Sequence, residues 1–198
     1  MAALPYDAEF SARRFHMVEN QLRPCDVTDL AILAAFAGTP REAFVAPNAT
    51  AIVYLDREAP SRGPKSRALL APVVLARLLQ AAKIQPGERA LEVAGGSGYG
   101  AAIMASLGAK VESLDSDPAA ITAGPYAVIL VNGAFERSPD DLVGLLADGG
   151  RLVGVEAISG APKAVLIENS AGAVSRRVLF DANASRIDEY RRAEAFVF

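Results

Sequence analysis

The residues with the clearest chemical potential are Glu92, the stretch Ala94-Gly95-Gly96-Ser97-Gly98, and Asp115. Their spacing predicts a buried strand over 89–93, a tight turn, a helix over about 99–107, and a second strand over 110–114 that ends in the acid. Glycines let a backbone approach a ligand closely, because no Cβ stands in the way and a positive φ costs little. The start of the following helix offers N–H groups with no partner inside the helix. An acid at the end of the next strand suits ribose hydroxyls. Together these residues carry the chemistry of a nucleotide-binding α/β sheet.

Two ligand patterns compete for the turn. Gly96-x-Gly98-x-x-Ala101 fits the dinucleotide fingerprint, which is a weak match when it stands alone. The other pattern, an acid on the strand and then apolar-G-x-G-x-G, belongs to S-adenosylmethionine-dependent methyltransferases. Glu92 to Gly98 fits it with one departure, Ala94 in place of the first glycine. Glu92 favours this second pattern, since a carboxylate can serve a cationic methionine tail but not a pyrophosphate. A turn that only packs strand against helix would carry the same glycines. The placement of Asp115 argues for a ligand.

Composition narrows the classes. The chain has 198 residues, 52% of them hydrophobic and 22% charged, which suits one compact domain with a substantial core. A net charge of −3 argues against a nucleic-acid surface. A single cysteine, Cys25, excludes an internal disulfide, and a single histidine, His16, disfavours a zinc or Ser-His-Asp site. Both fall in the N-terminal helical region, as a partly buried thiol and a surface imidazole. Charges at Asp7, Glu9, Arg13, Arg14 and Glu19 leave no signal-peptide core. No apolar run reaches the ~20 residues of a membrane span. A cytoplasmic protein is expected.

The positioning elements follow from local rules. Apolar Phe10, Phe15, Met17, Val18 and Leu22 predict an amphipathic helix over 7–23, ended by Pro24. A second helix is expected over 28–37, capped by Asp26 or Thr28, then a short turn over 41–45. Residues 56–67 read as an exposed loop, either simply solvated or covering the ligand site. Pro72 opens a helix running to 82. Beyond Asp115, the next buried strand is expected over 126–131, so Ser116 to Pro125 is too short to hold a further strand. Ser138-Pro139-Asp140-Asp141 has the signals of a capped helix, with Gly149-Gly150 as its end and a strand over 151–155. A hairpin over 163–168 and 173–180 follows, with a last strand over 194–198. The expected division is a helical part and loop over 1–70 and an α/β domain over 71–198, forming one unit.

With these elements in place, the chain resembles the protein-L-isoaspartate O-methyltransferase family over most of its length. Met17-Val18-Glu19-Asn20-Gln21-Leu22-Arg23, Val27-Thr28-Asp29 and Pro40-Arg41-Glu42-Ala43-Phe44-Val45 are similar to its opening signature. Ala90 to Gly100 is similar to its cofactor motif, Tyr126 to Asn132 to its central strand, and Leu146 to Val155 to its L-x-x-G-G-R-L-V segment. The resemblance implies a Rossmann-like class I methyltransferase sheet, mostly parallel, with a C-terminal antiparallel hairpin and an N-terminal helical part. It implies methyl transfer from S-adenosylmethionine to the carboxylate of isoaspartyl residues in a protein or peptide. Glu92, Ala94, Gly95, Gly96, Ser97 and Gly98 would then serve the methionine end of the cofactor, and Asp115 the ribose. Asn132, just past the central strand, would touch substrate or methionine, or cap the strand end.

Two departures from the family pattern bear on activity. Leu70 stands where the family's G-x-T-I-S-Q-P segment places a serine at the reaction site. The short 116–125 connection omits the family's next strand and the loop that faces the adenine. Methyl transfer to an ionised carboxylate, with a pKa of about 4, needs positioning and exclusion of water rather than acid–base chemistry. No side chain therefore stands out as catalytic, and weak turnover is expected. A non-catalytic binding or regulatory protein on the same fold is the alternative reading. A nicotinamide-dependent oxidoreductase is a third, disfavoured by Glu92 and by the lack of a Tyr-x-x-x-Lys or histidine proton donor. A sheet that ends at strand 110–114 would leave an edge, and apolar surface near Ile121, for a homodimer to cover.

Overall fold

The computed structural model describes residues 5–63, 67–114 and 124–192. Six strands form the main sheet, β3 (Arg89–Val93), β4 (Lys110–Leu114), β5 (Tyr126–Phe135), β6 (Leu146–Glu156), β7 (Lys163–Ser170) and β8 (Ala173–Asp181). Their spatial order is β4-β3-β5-β6-β7-β8, and a two-stranded sheet pairs β1 (Ala59–Pro60) with β2 (Ala68–Leu69). The first four strands of the main sheet are parallel, while β7 and β8 are antiparallel to their neighbours. The expected parallel sheet with its C-terminal hairpin is what the chain forms. The expected strand over 194–198 lies outside the described residues, as do Asp115 and Ile121.

Strand alternation splits the core into two faces. Val128, Leu130 and Val153 point to the side covered by α1 (Pro5–Met17), α2 (Leu30–Gly38), α3 (Pro72–Ala82) and α4 (Tyr99–Ser106). Ile129, Val131 and Leu152 point to the other side, against Leu142, Ile187 and Tyr190. The first core runs without interruption from Phe10 through Leu70 to Ala182, so residues before and after position 70 share it. It carries most of the apolar burial that offsets chain entropy.

The N-terminal helix ends as its sequence requires, with some corrections. After Met17 it widens into a π-turn, Val18–Leu22, and then tightens into a 3-10 turn, Arg23–Cys25, around Pro24. Phe15 lies on the solvent face, 58% exposed, and so is not part of the buried stripe. The cap of α2 is Asp29, not Asp26 or Thr28. Its Oδ1 accepts from the N–H groups of Ala31 (2.8 Å) and Ile32 (3.2 Å). Thr28 and Asp29 instead donate their own N–H groups to Gln80 Oε1 at 2.8 and 3.0 Å, tying α2 to α3. Cys25 is partly buried and His16 exposed, as expected.

The helix predicted from Ser138 shrinks to a single turn, α5 (Asp140–Val143). Ser138 Oγ donates to Asp140 Oδ1 at 2.5 Å and so does not cap the helix. Gly149-Gly150 does not end a helix either, because β6 already starts at Leu146. The two glycines sit in a bulge, where the pairing jumps from Tyr126↔Leu146 to Val128↔Arg151. A Cβ on Gly150 would lie 2.8 Å from Ala147 O and 2.9 Å from Tyr126 O. Close backbone approach explains the pair of glycines.

Candidate functional site

The glycine-rich turn follows β3 at the carboxyl ends of the parallel strands, where open α/β sheets bind ligands. Ala94 takes a left-handed φ of 60° and donates its N–H to Leu114 O at 2.9 Å. Gly96 and Gly98 also have positive φ, 62° and 79°. Gly98 precedes α4 with no side-chain cap, so the first N–H groups of that helix have no capping side chain. Ala94 thus occupies a conformation that glycine accepts more cheaply, as its place in the motif implied.

Glu92 is fully buried on β3 and accepts from Ser113 Oγ at 2.9 Å. Its carboxylate lies under the turn. A Cβ on Gly95 would come within 2.1 Å of Oε2, and one on Gly100 within 2.3 Å of Oε1. Gly95 in the turn and Gly100 in the first turn of α4 are therefore demanded by a carboxylate of the protein itself. Gly100, which sequence reasoning did not single out, belongs to the site on this ground.

Asn132 sits on β5 next to the turn, 3% exposed, and donates Nδ2–H to Gly95 O at a long 3.4 Å. Its Oδ1 is buried with no hydrogen-bond partner among the described residues, and so is Ser97 Oγ in the turn. Buried acceptors left open are rare and costly in folded proteins, at about 1–3 kcal/mol each. Here two of them flank one glycine turn. Sequence reasoning named both residues and the structure brings them together.

Residues 58–63 are not simply solvated. Ser61 is buried, and a Cβ on Gly96 would meet its Oγ at 2.6 Å and Arg67 Cβ at 2.9 Å. A Cβ on Gly63 would lie 2.7 Å from Gly96 O. The loop therefore forms a roof on the turn. A segment near the C-terminus pins it from the other side. Glu58 Oε1 and Oε2 accept from Ser185 N–H and Oγ–H at 2.7 and 2.6 Å. Arg67 pairs with Glu189 at 2.6 Å, with side chains only 9% and 14% exposed. This segment rests on β5, where Ala134 N–H donates to Ser185 O and Ile187 N–H to Ala134 O. Gly133 permits the approach, since a Cβ there would sit 2.5 Å from Ile187 Cγ2. Tyr190 OH donates to Asp141 at 2.7 Å, and burial with that bond pushes its hydroxyl pKa upward. The covering role is one of the two readings the sequence leaves open for residues 56–67, while no local pattern points to residues 185–190.

Leu70 does not line the turn. Its side chain is in the apolar core, and its carbonyl accepts from Arg41 Nη2 at 2.9 Å. Arg41 is fully buried, donates also to Val53 O at 2.9 Å, and stacks 4.9 Å from the Tyr99 ring centroid. Desolvation lowers its pKa and raises that of Tyr99 to about 12. Arg41 belongs to the signature stretch, and in space it fastens the segment before α3 to the helix after the turn.

Sheet order, the glycine turn and the parallel β3–β4 pair joined through α4 define a Rossmann-like class I methyltransferase fold. The profile of the family described as Protein-L-isoaspartate(D-aspartate) O-methyltransferase (PCMT) matches residues 12–116. The chain belongs to that family. It is 35% identical over 164 residues to the protein-L-isoaspartate O-methyltransferase of Gloeobacter violaceus, covering 69% of this chain and 79% of that one. Against its counterpart from Koribacter versatilis it is 32% identical over 180 residues, covering 77% and 80%. Among solved structures, one from Plasmodium falciparum, described as a protein-L-isoaspartate O-methyltransferase in complex with S-adenosyl-L-homocysteine, superposes with a TM-score of 0.74. That match has 18% identity and covers 89% of this chain and 98% of the other, which supports the fold.

Proposed function

We propose that the chain is an S-adenosylmethionine-dependent methyltransferase acting on isoaspartyl carboxylates of proteins or peptides. The observation that carries this reading is a pair of buried acceptors beside the turn, Asn132 Oδ1 and Ser97 Oγ, that find no partner among the described residues. An ammonium group such as the methionine end of the cofactor supplies the donors they lack. Gly95, Gly96 and Gly98 would let the ligand approach the backbone, with Ala94 shaping the same turn. Glu92 sets the shape of the turn from beneath, and its charge favours a cation nearby. Asp115 is assigned to the ribose on the family resemblance. The cofactor supplies an activated methyl group when bound. The chain's own part is to orient the ligand and to exclude water, and the roof of Ser61 and Gly63 on Gly96 suits that task.

The test is calorimetric titration with S-adenosylhomocysteine and, separately, with NAD. Binding of the first alone is expected, and preference for NAD would overturn the reading. Transfer of labelled methyl groups into an isoaspartyl peptide, with the aspartyl peptide as control, tests the substrate. Turnover is expected to be weak, because Leu70 turns its side chain into the core and brings no hydroxyl to the site. Robust isoaspartyl-selective labelling would refute that weakness. A second reading, a fold that binds cofactor without turning it over, predicts titration heat and no labelling.

Two further assignments belong to the same reading. Among the described residues β4 is one of the two outer strands of the sheet, and a second copy is assigned to that edge, in a homodimer. A monomeric sedimentation profile at high micromolar concentration would refute it. No described helix is long and apolar enough to cross a membrane, and a cytoplasmic location without a nucleic-acid partner is proposed.

A further inference from the structure

We infer that Arg41 is a positioning residue for the glycine turn: from inside the core, through the ring of Tyr99, it sets the turn's conformation and so the affinity for the ligand bound there. The inference rests on the cofactor site proposed above and deepens it. Arg41 reaches three segments that are far apart in the chain. Its Nε–H donates to Val53 O and its Nη2–H to Leu70 O, both at 2.9 Å, and its guanidinium lies over the Tyr99 ring, 4.9 Å from the centroid. Arg41 and Tyr99 are 0% and 1% exposed, so both act from behind the turn rather than from its open side. The two meet through the ring face, because Arg41 Nη1 and the Tyr99 hydroxyl have no hydrogen-bond partner among the described residues.

Such a pair is a costly way to fill a core. The partners of the buried cation are two carbonyls and a ring, none of them charged, and two buried polar atoms stay unbonded. Apolar side chains would pack there with no polar group to satisfy. They could not hold two carbonyls and a ring at fixed mutual angles, which the planar fork of an arginine does. Costs of this kind collect at functional sites. Both ends of the pair lead to the turn. Tyr99 directly follows Gly98, which has a φ of 79° and no Cβ to restrict it. A glycine joint has little preference of its own, so the fixed ring decides where the first N–H groups of α4 point. Phe44 and Phe36 meet the same ring edge-on, with centroids 5.4 and 6.1 Å away, and hold it further. At the other end, Leu70 follows β2, which pairs with β1 through Ala59↔Leu69 and Pro60↔Ala68. That small sheet carries Ser61 and Arg67 over Gly96. Arg41 thus fixes the gap between turn and roof, and a ligand held by both would feel any change in it.

The test follows the glycine amide signals of the isotope-labelled full chain by magnetic resonance without ligand, and then its titration with S-adenosylhomocysteine. Arg41→Lys keeps the charge and loses the fork. It should displace the signals of Gly95, Gly96 and Gly98, leave those of Gly149, Gly160 and Gly172 in place, and weaken binding by a factor of about ten or more. Should that variant not fold, Tyr99→Leu gives the same test, since it keeps Arg41 and removes the ring. Tyr99→Phe restores the ring without the hydroxyl, and should return the turn signals and bring affinity to within about threefold of the parent. Val165→Ala, a cut in the core on β7, should lower the melting temperature and leave the turn signals and the affinity unchanged. Parent-like turn signals in Arg41→Lys or Tyr99→Leu would overturn the inference, as would displaced signals with undiminished affinity. Equal losses in Val165→Ala would overturn it too, by making them a matter of stability alone. If the parent itself does not bind S-adenosylhomocysteine, the cofactor reading falls, while the ligand-free signals still decide whether Arg41 sets the turn.

Discussion

Ala94 and Gly100 make opposite demands on a side chain, and both can be tested by single substitutions. Ala94 is held at φ 60°, a region costing an L-residue about 1–2 kcal/mol, so Ala94→Gly should stabilise the fold by about 0.5–1 kcal/mol once the freer unfolded chain is counted. A rise in the urea midpoint at constant slope would verify this. Gly100→Ala should cost about 1–3 kcal/mol, because the new methyl would lie 2.3 Å from Glu92 Oε1 and 2.7 Å from Leu130 Cδ2. A substitution at Gly96 acts through the roof: Gly96→Val collides with Ser61 and Arg67 before any ligand arrives, so lost affinity in that variant reports roof displacement. Asn132→Ala is the cleaner probe of ligand contact. It should weaken S-adenosylhomocysteine binding by about 1–2 kcal/mol, roughly five- to thirtyfold, and an unchanged titration would remove Asn132 from the site.

At the scale of elements, Arg151 on β6 joins three parts of the sheet-helix layer. It donates to Ala82 O and Lys83 O at the end of α3, and makes two bonds to the Glu88 carboxylate just before β3, at 2.8 and 2.9 Å. Burial raises the Glu88 pKa, but the Arg151 bonds and the Gln85 N–H outweigh this, and the net shift is downward. A carboxyl with a lowered folded pKa adds stability that is complete above its ordinary value of 4.5 and is lost as pH falls through the folded value. Acid titration of stability should therefore show a fall below about pH 4.5 that is shallower in Glu88→Gln. A variant as steep as the parent would refute the assignment. Arg151→Met should cost about 2–3 kcal/mol by leaving helix-end carbonyls and a carboxylate without their donor. Elements of this kind were legible where one local rule sufficed. Pro72 opens α3, hydrophobic alternation marks β3 and the hairpin, and the glycine turn was read correctly from Gly95 to Gly98. The failures came where a distant partner decided. Gln80 took the N–H groups of Thr28 and Asp29 and left Asp29 to cap α2. Tyr126 O required Gly150, which looked like a helix stop. The segment 185–190 that bridges to Ala134 of β5 lies far along the chain, where no local pattern points back to it.

Across the whole molecule, the candidate site is closed by segments that are far apart in the chain. Glu58 and Arg67 reach Ser185 and Glu189, and the same segment lays Ile187 and Tyr190 on the second core. Ser185→Ala combined with Glu189→Gln should loosen residues 58–63 more than the sheet. Amide exchange there should rise at least roughly tenfold while exchange in β5 stays near its parent value. Uniform acceleration everywhere would instead show that the pins hold the whole fold. The order of manufacture gives this arrangement a further meaning. A growing chain has made the turn, its helix and the roof loop long before residues 185–190 exist. The sheet can assemble in that interval, while the roof is held from one side only, by the backbone bonds of Pro60 and Arg62 to Ala46 and Phe44. Competence to hold a ligand would thus wait, in a newly made copy, on a stretch synthesised more than a hundred residues after the roof it completes.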